Sequence, residues 1–264
     1  MPGTKRILTI NDTHCGHVLG LTPPGQQSPD FAEFQAPFYE FFRSTVDQIG
    51  HVDLLVGNGD LVDGPQRKNP EQSIRLDLGA QVKMASELMQ NVDADRKVVV
   101  RGTGYHTDSG TSFEDFVAKE LDTEAYDEYR LEVYGRRLHW RHVVGRSDIP
   151  YGQYTQVAKE LINELLQAEM ERYDAADVLF RAHVHYCTGT SLLDAETGYL
   201  RQAWSLPALQ LRGPRTGPYP RGLRTWLYHV GVTLIEIEPS GEIFVRPIGF
   251  PIKRYMRREY ECLE

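Results

Sequence analysis

The sequence has 264 residues, of which 41% are hydrophobic and 25% are charged, as in an ordinary globular protein that can bury a core. Its net charge of −8 argues against a protein that coats nucleic acid nonspecifically. No apolar run approaches the roughly 18 residues of a membrane span, and we expect no signal peptide before the first strand-like run. The three cysteines are far apart and imply no disulfide framework. We therefore expect a cytoplasmic protein without a membrane partner.

The first half of the chain alternates predicted strands and helices. Short apolar runs, rich in β-branched residues, predict strands over Lys5–Asn11, Val52–Gly57 and Lys97–Arg101. Amphipathic patterns predict helices over Phe38–Ile49, from about Asn69 to Asn91, and over Thr111–Leu121. This alternation is typical of an α/β fold.

The second half contains more predicted strands than helices. A strand over Arg137–Val144 carries His139 and His142, and a long helix over Tyr151–Tyr173 follows it. Further strands are predicted near Val178–Phe180, Thr188–Leu193, Tyr199–Ser205, Val230–Ile237 and Ile243–Pro247. Since no repeat, low-complexity tract or linker interrupts the chain, we expect a single domain over residues 1–264.

Carboxylate and imidazole side chains follow the ends of several predicted strands. In α/β sheets, ligands and catalytic groups gather beyond the carboxyl ends of strands. The residues found there are Asp12, His14, Asp60, His106, His142, His183 and His185. Such a mixed set suits two divalent metal ions, and one aspartate can bridge both. For Asp60 and Asp63 taken alone, a helix cap and a turn residue stay open as alternatives.

The order and spacing of these residues resemble the calcineurin-like metallophosphoesterase family, whose motifs are D-x-H, G-D-x-x-D, G-N-H, a lone His and G-H-x-H. Asp12–His14 is similar to the first motif and Gly59–Asp63 to the second. Ala182–His185 is similar to the last, with alanine in place of glycine. The resemblance covers about residues 5–190 and implies an α/β (α+β) fold, a β-sandwich of two mixed sheets flanked by helices.

The resemblance also implies a set of metal ligands. One ion would be held by Asp12, His14, Asp60 and His185, and the other by Asp60 as the bridge with His142 and His183. Manganese is the first expectation for both ions, with zinc, iron or nickel as alternatives. His139 stays open as an alternative to His142, and Asp63 is expected to orient a ligand through a hydrogen bond.

The third motif departs from the family pattern. The family's asparagine binds the second metal and its histidine protonates the leaving group, whereas this chain reads Gly-Thr-Gly-Tyr-His from Gly102 to His106. We expect His106 to keep the acid role, with Thr103 or water replacing the lost ligand. Alternatively, His106 is itself a ligand. A similar G-T-x-x-H variant is attributed to phage-type members of the family.

The expected function is metal-dependent hydrolysis of a phosphoester by a phosphodiesterase or nuclease acting on nucleotides or nucleic acid. The segment from Arg201 to Arg258 contains ten Lys/Arg and only three acidic residues, and aromatic residues are interspersed among the arginines. Arg212 and Arg215 are the candidate substrate-binding residues, although a surface loop paired with acidic helices explains them equally well. A phosphomonoesterase and a non-catalytic interaction module on the same fold stay open, and the oligomeric state is not predicted.

Overall fold

The computed structural model describes residues 2–65, 72–74, 77–104, 112–147, 149, 151–195, 197–211 and 228–251, which form eleven β-strands and four α-helices. The first elements in chain order are β1 (Lys5–Ile10), α1 (Ala32–Ile49), β2 (Val52–Asn58), α2 (Leu78–Gln90), β3 (Ala94–Val100) and α3 (Phe113–Glu120). They are followed by β4 (Ala125–Tyr126), β5 (Glu128–Val133), β6 (Arg136–Arg141), α4 (Gly152–Glu171), β7 (Val178–Arg181), β8 (Thr188–Leu193), β9 (Leu200–Ser205), β10 (Gly231–Ile237) and β11 (Ile243–Gly249).

The strands form two mixed sheets. In the six-stranded sheet, ordered β11-β10-β1-β2-β3-β4, the strands β1 to β4 run parallel, and β10 is antiparallel to β1. In the five-stranded sheet, ordered β5-β6-β7-β9-β8, the three central strands run parallel, and β5 and β8 are antiparallel edges. The predicted architecture of two mixed sheets flanked by helices is therefore confirmed.

A hydrophobic core fills the space between the sheets. Leu54 and Val56 of β2 contribute to it from one sheet, and Trp140 and Phe180 contribute from the other. The two aromatic rings stack with centroids 4.9 Å apart, and the Trp140 indole N–H donates to Thr9 Oγ1 over 3.1 Å. Burial of these aromatic rings away from water is a main stabilising term for the sandwich.

The helices cover the outer faces of the sheets. Helices α1, α2 and α3 pack on the six-stranded sheet, where Leu55 of β2 meets residues such as Phe42 and Leu88. Helix α4 packs on β7 and β9 through Val157 and Leu161. Strand β2 is thus buried on both faces, which explains why its sequence is almost continuously apolar.

Several predicted boundaries were wrong. Helix α2 begins at Leu78 rather than near Asn69, because the Asp77 carboxylate caps it by accepting from the backbone N–H groups of Gly79 and Ala80. Strand β6 ends at Arg141, so that His142 lies in the following loop. Strands β4 and β5 were missed. None of the helices in the described residues has the length and hydropathy that a bilayer span requires.

Candidate metal centre

The carboxyl ends of parallel strands from both sheets meet at one place. Asp12 follows β1 and Asp60 follows β2 in the first sheet, whereas His142 follows β6 and His183 follows β7 in the second. Backbone hydrogen bonds hold these ends together: Asp12 N donates to Gly59 O over 3.0 Å and Ala182 N donates to His142 O over 2.7 Å. The parallel pairing in each sheet therefore delivers polar side chains to a common site.

The backbone at this site is unusual. Eight non-glycine residues in the described part of the chain have positive φ angles, and five of them are candidate ligands, with φ between 41° and 70°: Asp12, His14, Asp60, His183 and His185. A left-handed conformation of a residue with a Cβ costs roughly 1–2 kcal/mol. Because such strain concentrates where function requires it, the backbone points independently to this site.

Asp12 is at the centre of a first group of metal-binding atoms. Its Oδ1 lies 3.2 Å from His185 Nε2 and 3.9 Å from His14 Nε2. All three residues are buried. Their ligand atoms lie within 4.8 Å of one another, which is close enough for one ion to bind them together.

Asp60 forms a second group with two other histidines. Its Oδ2 lies 3.0 Å from His142 Nε2 and 3.9 Å from His183 Nδ1. The three ligand atoms again lie within 4.8 Å of one another. The two groups are adjacent, because His142 Nε2 is also 3.8 Å from Asp12 Oδ1.

Polar contacts on the far side of the imidazoles orient the rings. His142 Nδ1 lies 2.7 Å from the backbone oxygen of Asn58, a contact in which the ring nitrogen must be the donor. His14 Nδ1 lies 3.3 Å from Asp63 Oδ1. When His142 donates from Nδ1, its Nε2 is the atom that a metal would bind once it has released its proton.

Electrostatics in the cluster favour a cation. Burial alone would raise the pKa of Asp12, but the His185 and His142 imidazoles hold it below its ordinary value. Burial alone would lower the pKa of His142, but Asp60 and Asp12 raise it to about 10. Asp12 Oδ1 and His142 Nε2 are both buried, and although they lie 3.2 Å from His185 Nε2 and 3.0 Å from Asp60 Oδ2, neither makes a well-directed hydrogen bond within the described residues. These donor atoms, set between buried carboxylates and imidazoles, fit divalent cations.

His139, the alternative to His142, is not part of this cluster, and three other predicted residues are not described by the structure. His106, Arg212 and Arg215 lie outside the described residues. His139 is buried in a separate cluster, where its Nε2 lies 3.0 Å from Glu128 and its Nδ1 lies 3.5 Å from Glu164.

Two glycines at the site permit close approach. A Cβ on Gly59 would lie 2.4 Å from His142 Nδ1, and a Cβ on Gly102 would lie 2.1 Å from Asp60 Oδ1. Real Cβ atoms do not approach so closely, so both positions require glycine.

Sequence reasoning missed Glu114 as part of the site. This residue is buried at the start of α3, and its Oε1 accepts a hydrogen bond of 3.1 Å from the backbone N–H of Leu61. It therefore fixes the loop that carries Asp60. No signal in the sequence reveals this role, because an acidic residue in the first turn of a helix is common in any protein.

Comparisons with known proteins give matches among solved structures only. No protein-family model matches the sequence, and no curated protein matches it. The chain is similar to Vps29 of Entamoeba histolytica complexed with Zn²⁺, at 14% identity over 92% of this chain and 98% of that chain, with a TM-score of 0.44. It is also similar to a metallophosphoesterase from Sphaerobacter thermophilus, at 13% identity over 96% of this chain and 91% of that chain, with a TM-score of 0.39.

A third similar structure is the sulfate thiohydrolase SoxB of Thermus thermophilus, at 13% identity over 94% of this chain and 57% of that chain, with a TM-score of 0.41. The two mixed sheets, flanked by helices and carrying acidic and histidine side chains at their strand ends, have the arrangement that the resemblance to calcineurin-like metallophosphoesterases implies. Because these identities and TM-scores are low, the function has to be inferred from the chain's own residues.

Proposed function

We propose that this protein hydrolyses phosphoesters with a dinuclear metal centre and that its substrates are phosphodiesters, either nucleotides or nucleic acid. One observation carries the proposal: Asp12 Oδ1 lies close to three imidazole nitrogens, at 3.2 Å from His185, 3.8 Å from His142 and 3.9 Å from His14. A buried carboxylate surrounded by three imidazoles is a ligand set rather than a structural ion pair.

Each group would hold one divalent cation, and manganese is the expected metal for both. Asp12, His14 and His185 would bind the first, and Asp60, His142 and His183 the second. We also propose, from the resemblance, that Asp60 would be shared with the first ion. Two bound cations would activate water and stabilise the negative charge that develops on the oxygens of a phosphoester.

The chain's own residues control access to this centre. Five of the six donor residues are buried, but the His183 side chain is 39% exposed, so we propose that substrate approaches from its side. Burial of the other donors keeps bulk water away from the carboxylates and strengthens their electrostatic interactions. His106 is proposed to donate the proton to the leaving group.

A substrate-binding role for Arg212 and Arg215 is supported by the position of the chain on either side of residues 212–227. Leu211 N donates to Leu19 O over 2.8 Å, in the loop that follows His14. The Tyr228 ring lies 6.1 Å from the His185 ring. Both ends of this arginine-containing segment therefore adjoin the candidate centre, which supports a role for Arg212 and Arg215 in binding an anionic substrate.

The test compares bis(p-nitrophenyl) phosphate with p-nitrophenyl phosphate, first in metal-free protein and then with Mn²⁺. We expect turnover with Mn²⁺ only, and faster turnover of the diester. Asp60→Asn should reduce it more than about 100-fold, which exceeds the usual effect of changing an outer hydrogen-bond partner. Asp93→Asn is the matched control, because Asp93 is exposed beside His51 at a distance from the centre.

The other outcomes identify the alternatives. Faster turnover of the monoester would replace the diesterase with a phosphomonoesterase on the same centre. No turnover, together with less than one metal ion per chain after loading with Mn²⁺ or Zn²⁺, would contradict the enzyme proposal and favour an interaction module.

A further inference from the structure

Thr103 makes a close contact with Asp60. Its backbone N–H donates to Asp60 Oδ1 over 2.6 Å. Its hydroxyl lies 3.1 Å from the same oxygen and 3.2 Å from Oδ2. Thr103 follows β3, whereas Asp60 follows β2, so the contact joins the ends of two neighbouring parallel strands.

The two oxygens of the Asp60 carboxylate therefore have different surroundings. Oδ1 receives the backbone N–H of Thr103, while Oδ2 lies 3.0 Å from His142 Nε2 and 3.9 Å from His183 Nδ1. The Thr103 hydroxyl has one proton and lies almost equally far from both oxygens, so the backbone N–H is the donor that distinguishes Oδ1 from Oδ2. Oδ2 is thus left to face the imidazoles and any cation among them.

The backbone conformation at Gly102 and Asp60 permits this close contact. Gly102 lets the chain pass so close to the carboxylate that a Cβ at position 102 would lie 2.1 Å from Asp60 Oδ1. Asp60 itself has a φ of 47°, a conformation that costs energy and that the two donors of Thr103 help to hold.

We propose that Thr103 is a positioning residue that fixes the Asp60 carboxylate through its N–H and hydroxyl, and that it is not itself a metal ligand. The inference rests on the metal centre of the proposed function. It follows that the second cation has three protein side chains, Asp60, His142 and His183, and binds more weakly than the first because Thr103 adds orientation but no ligand atom.

The test measures Mn²⁺ affinity at both sites by titration, with free Mn²⁺ followed by electron paramagnetic resonance. Thr103→Val keeps the shape of the side chain and the backbone N–H but removes the hydroxyl. We expect it to weaken the second Mn²⁺ about 10-fold, as loss of an outer hydrogen-bond partner does, and to weaken the first Mn²⁺ less, because Asp12, His14 and His185 also hold the first ion. Thr103→Ser keeps the hydroxyl and should restore the affinity.

Thr123→Val is the matched control. Its hydroxyl donates to the Lys97 backbone oxygen over 2.9 Å, away from the centre, so this change should leave both affinities unaltered. Equal Mn²⁺ affinities in wild type and Thr103→Val would overturn the inference, and so would an equal loss in Thr103→Val and Thr123→Val.

A crystal structure of the Mn²⁺-loaded protein separates positioning from ligation. The inference requires the Thr103 hydroxyl to stay on Asp60, whereas an Oγ1–Mn²⁺ distance of about 2.0–2.6 Å would make it a ligand and overturn the inference.

The inference and the proposed function can fail separately. If the protein binds two Mn²⁺ ions without hydrolysing either ester, the function fails and the titrations still decide the role of Thr103. If no second Mn²⁺ binds, hydrogen exchange in the metal-free protein decides whether Thr103 holds Asp60. Slow exchange of the Thr103 amide that becomes fast in Asp60→Ala supports the contact. Fast exchange of this amide in both proteins contradicts the contact.

Discussion

The imidazole of His142 hydrogen-bonds to the backbone oxygen of Asn58, with 2.7 Å between the two atoms. Asn58 is the last residue of β2 in one sheet, and His142 follows β6 in the other. This single bond therefore links the two sheets at the candidate centre and sets the direction of His142 Nε2. A substitution that moves either partner should change metal binding before it changes the fold.

Gly59→Ala tests this link. A Cβ at Gly59 would lie 2.4 Å from His142 Nδ1, and the φ of 79° is left-handed. We expect the variant to lose affinity for the second cation and to be destabilised by more than the roughly 1–2 kcal/mol of left-handed strain alone. Urea unfolding and Mn²⁺ titration measure the two effects.

Gly135→Ala is the control for that experiment. Gly135 also has a left-handed φ, of 71°, but a Cβ there would have no neighbour within 4 Å. It should therefore show the strain without the clash and leave Mn²⁺ binding intact. Equal destabilisation of the two variants would contradict the steric argument.

Metal ions should stabilise the folded protein. An ion that binds only the folded state, at about 100 times its Kd, adds about 2.7 kcal/mol to the free energy of unfolding. We expect Mn²⁺ to raise the melting temperature of wild type, chelation to reverse the rise, and His185→Ala to lose most of the rise that the first ion gives. His51→Ala should behave as wild type, because His51 is exposed between Asp93 and Asp95. If Mn²⁺ raises the melting temperature of His185→Ala as much as that of wild type, His185 is not a ligand of the first ion.

Glu114 should matter through its shape and its acceptor atoms. Glu114→Ala removes the acceptor for Leu61 N and should cost about 1–3 kcal/mol, as for an unsatisfied buried donor, and weaken metal binding at Asp60. Glu114→Gln keeps an oxygen at that position and should retain most of both. Glu120→Ala, at the exposed end of α3, is the neutral control. Thermal unfolding with and without Mn²⁺ measures both effects. If Glu114→Ala changes neither stability nor Mn²⁺ binding, Glu114 does not support the site.

A buried carboxylate outside the centre, paired with a partly exposed arginine, should control stability in acid. Glu164 is buried, its Oε1 lies 2.9 Å from Arg130 Nη1, and it also accepts a hydrogen bond of 3.0 Å from Ala176 N. Burial alone would raise the pKa of Glu164, but hydrogen bonds with His139, Arg130 and Ala176 lower it below its ordinary value. A lowered carboxyl pKa contributes stability above the unfolded value of 4.5, and this contribution is lost as the pH falls below it.

Glu164→Gln should therefore cost about 1–3 kcal/mol at pH 7, as for the loss of hydrogen bonds to a charged group, and flatten the pH dependence of unfolding below pH 4.5. Asp47→Asn breaks the exposed pair with Arg43 and should change stability by less than about 1 kcal/mol. Urea unfolding between pH 3 and pH 7 provides the measurement. Parallel pH curves for Glu164→Gln and wild type would show that the pair contributes nothing in acid.

Strands whose residues are buried are the clearest in the sequence, and two short or partly exposed strands were missed. Strand β2 is recognisable because both of its faces are buried, so its residues are almost all apolar over a length typical of strands. Strand β5 has mostly charged or partly exposed residues, and β4 has two residues, so neither carries a pattern. The single domain over residues 1–264 stays a prediction.

Candidate donors could be found from the sequence because strand ends are visible in it. Asp12 and Asp60 each follow an apolar run that stops abruptly. Contacts between distant elements could not be found this way. Thr103 reaches Asp60 across 43 residues of chain, and Glu114 reaches Leu61 across 53, and both contacts depend on how separate elements pack. The ligand roles themselves, and the acid role of His106, stay predictions.

The pairing of β1 with β10 has a consequence for synthesis of the chain. Residues 5–9 of β1 pair with residues 233–237 of β10. In this sheet only β11 is synthesised after β10, so β1 waits for its partner until almost the whole chain has been made. Until then a nascent chain exposes the open backbone edge of β1, and open edges recruit other strands into aggregates. C-terminal truncations that remove β10 should therefore accumulate as insoluble protein, even though they retain all six candidate donors.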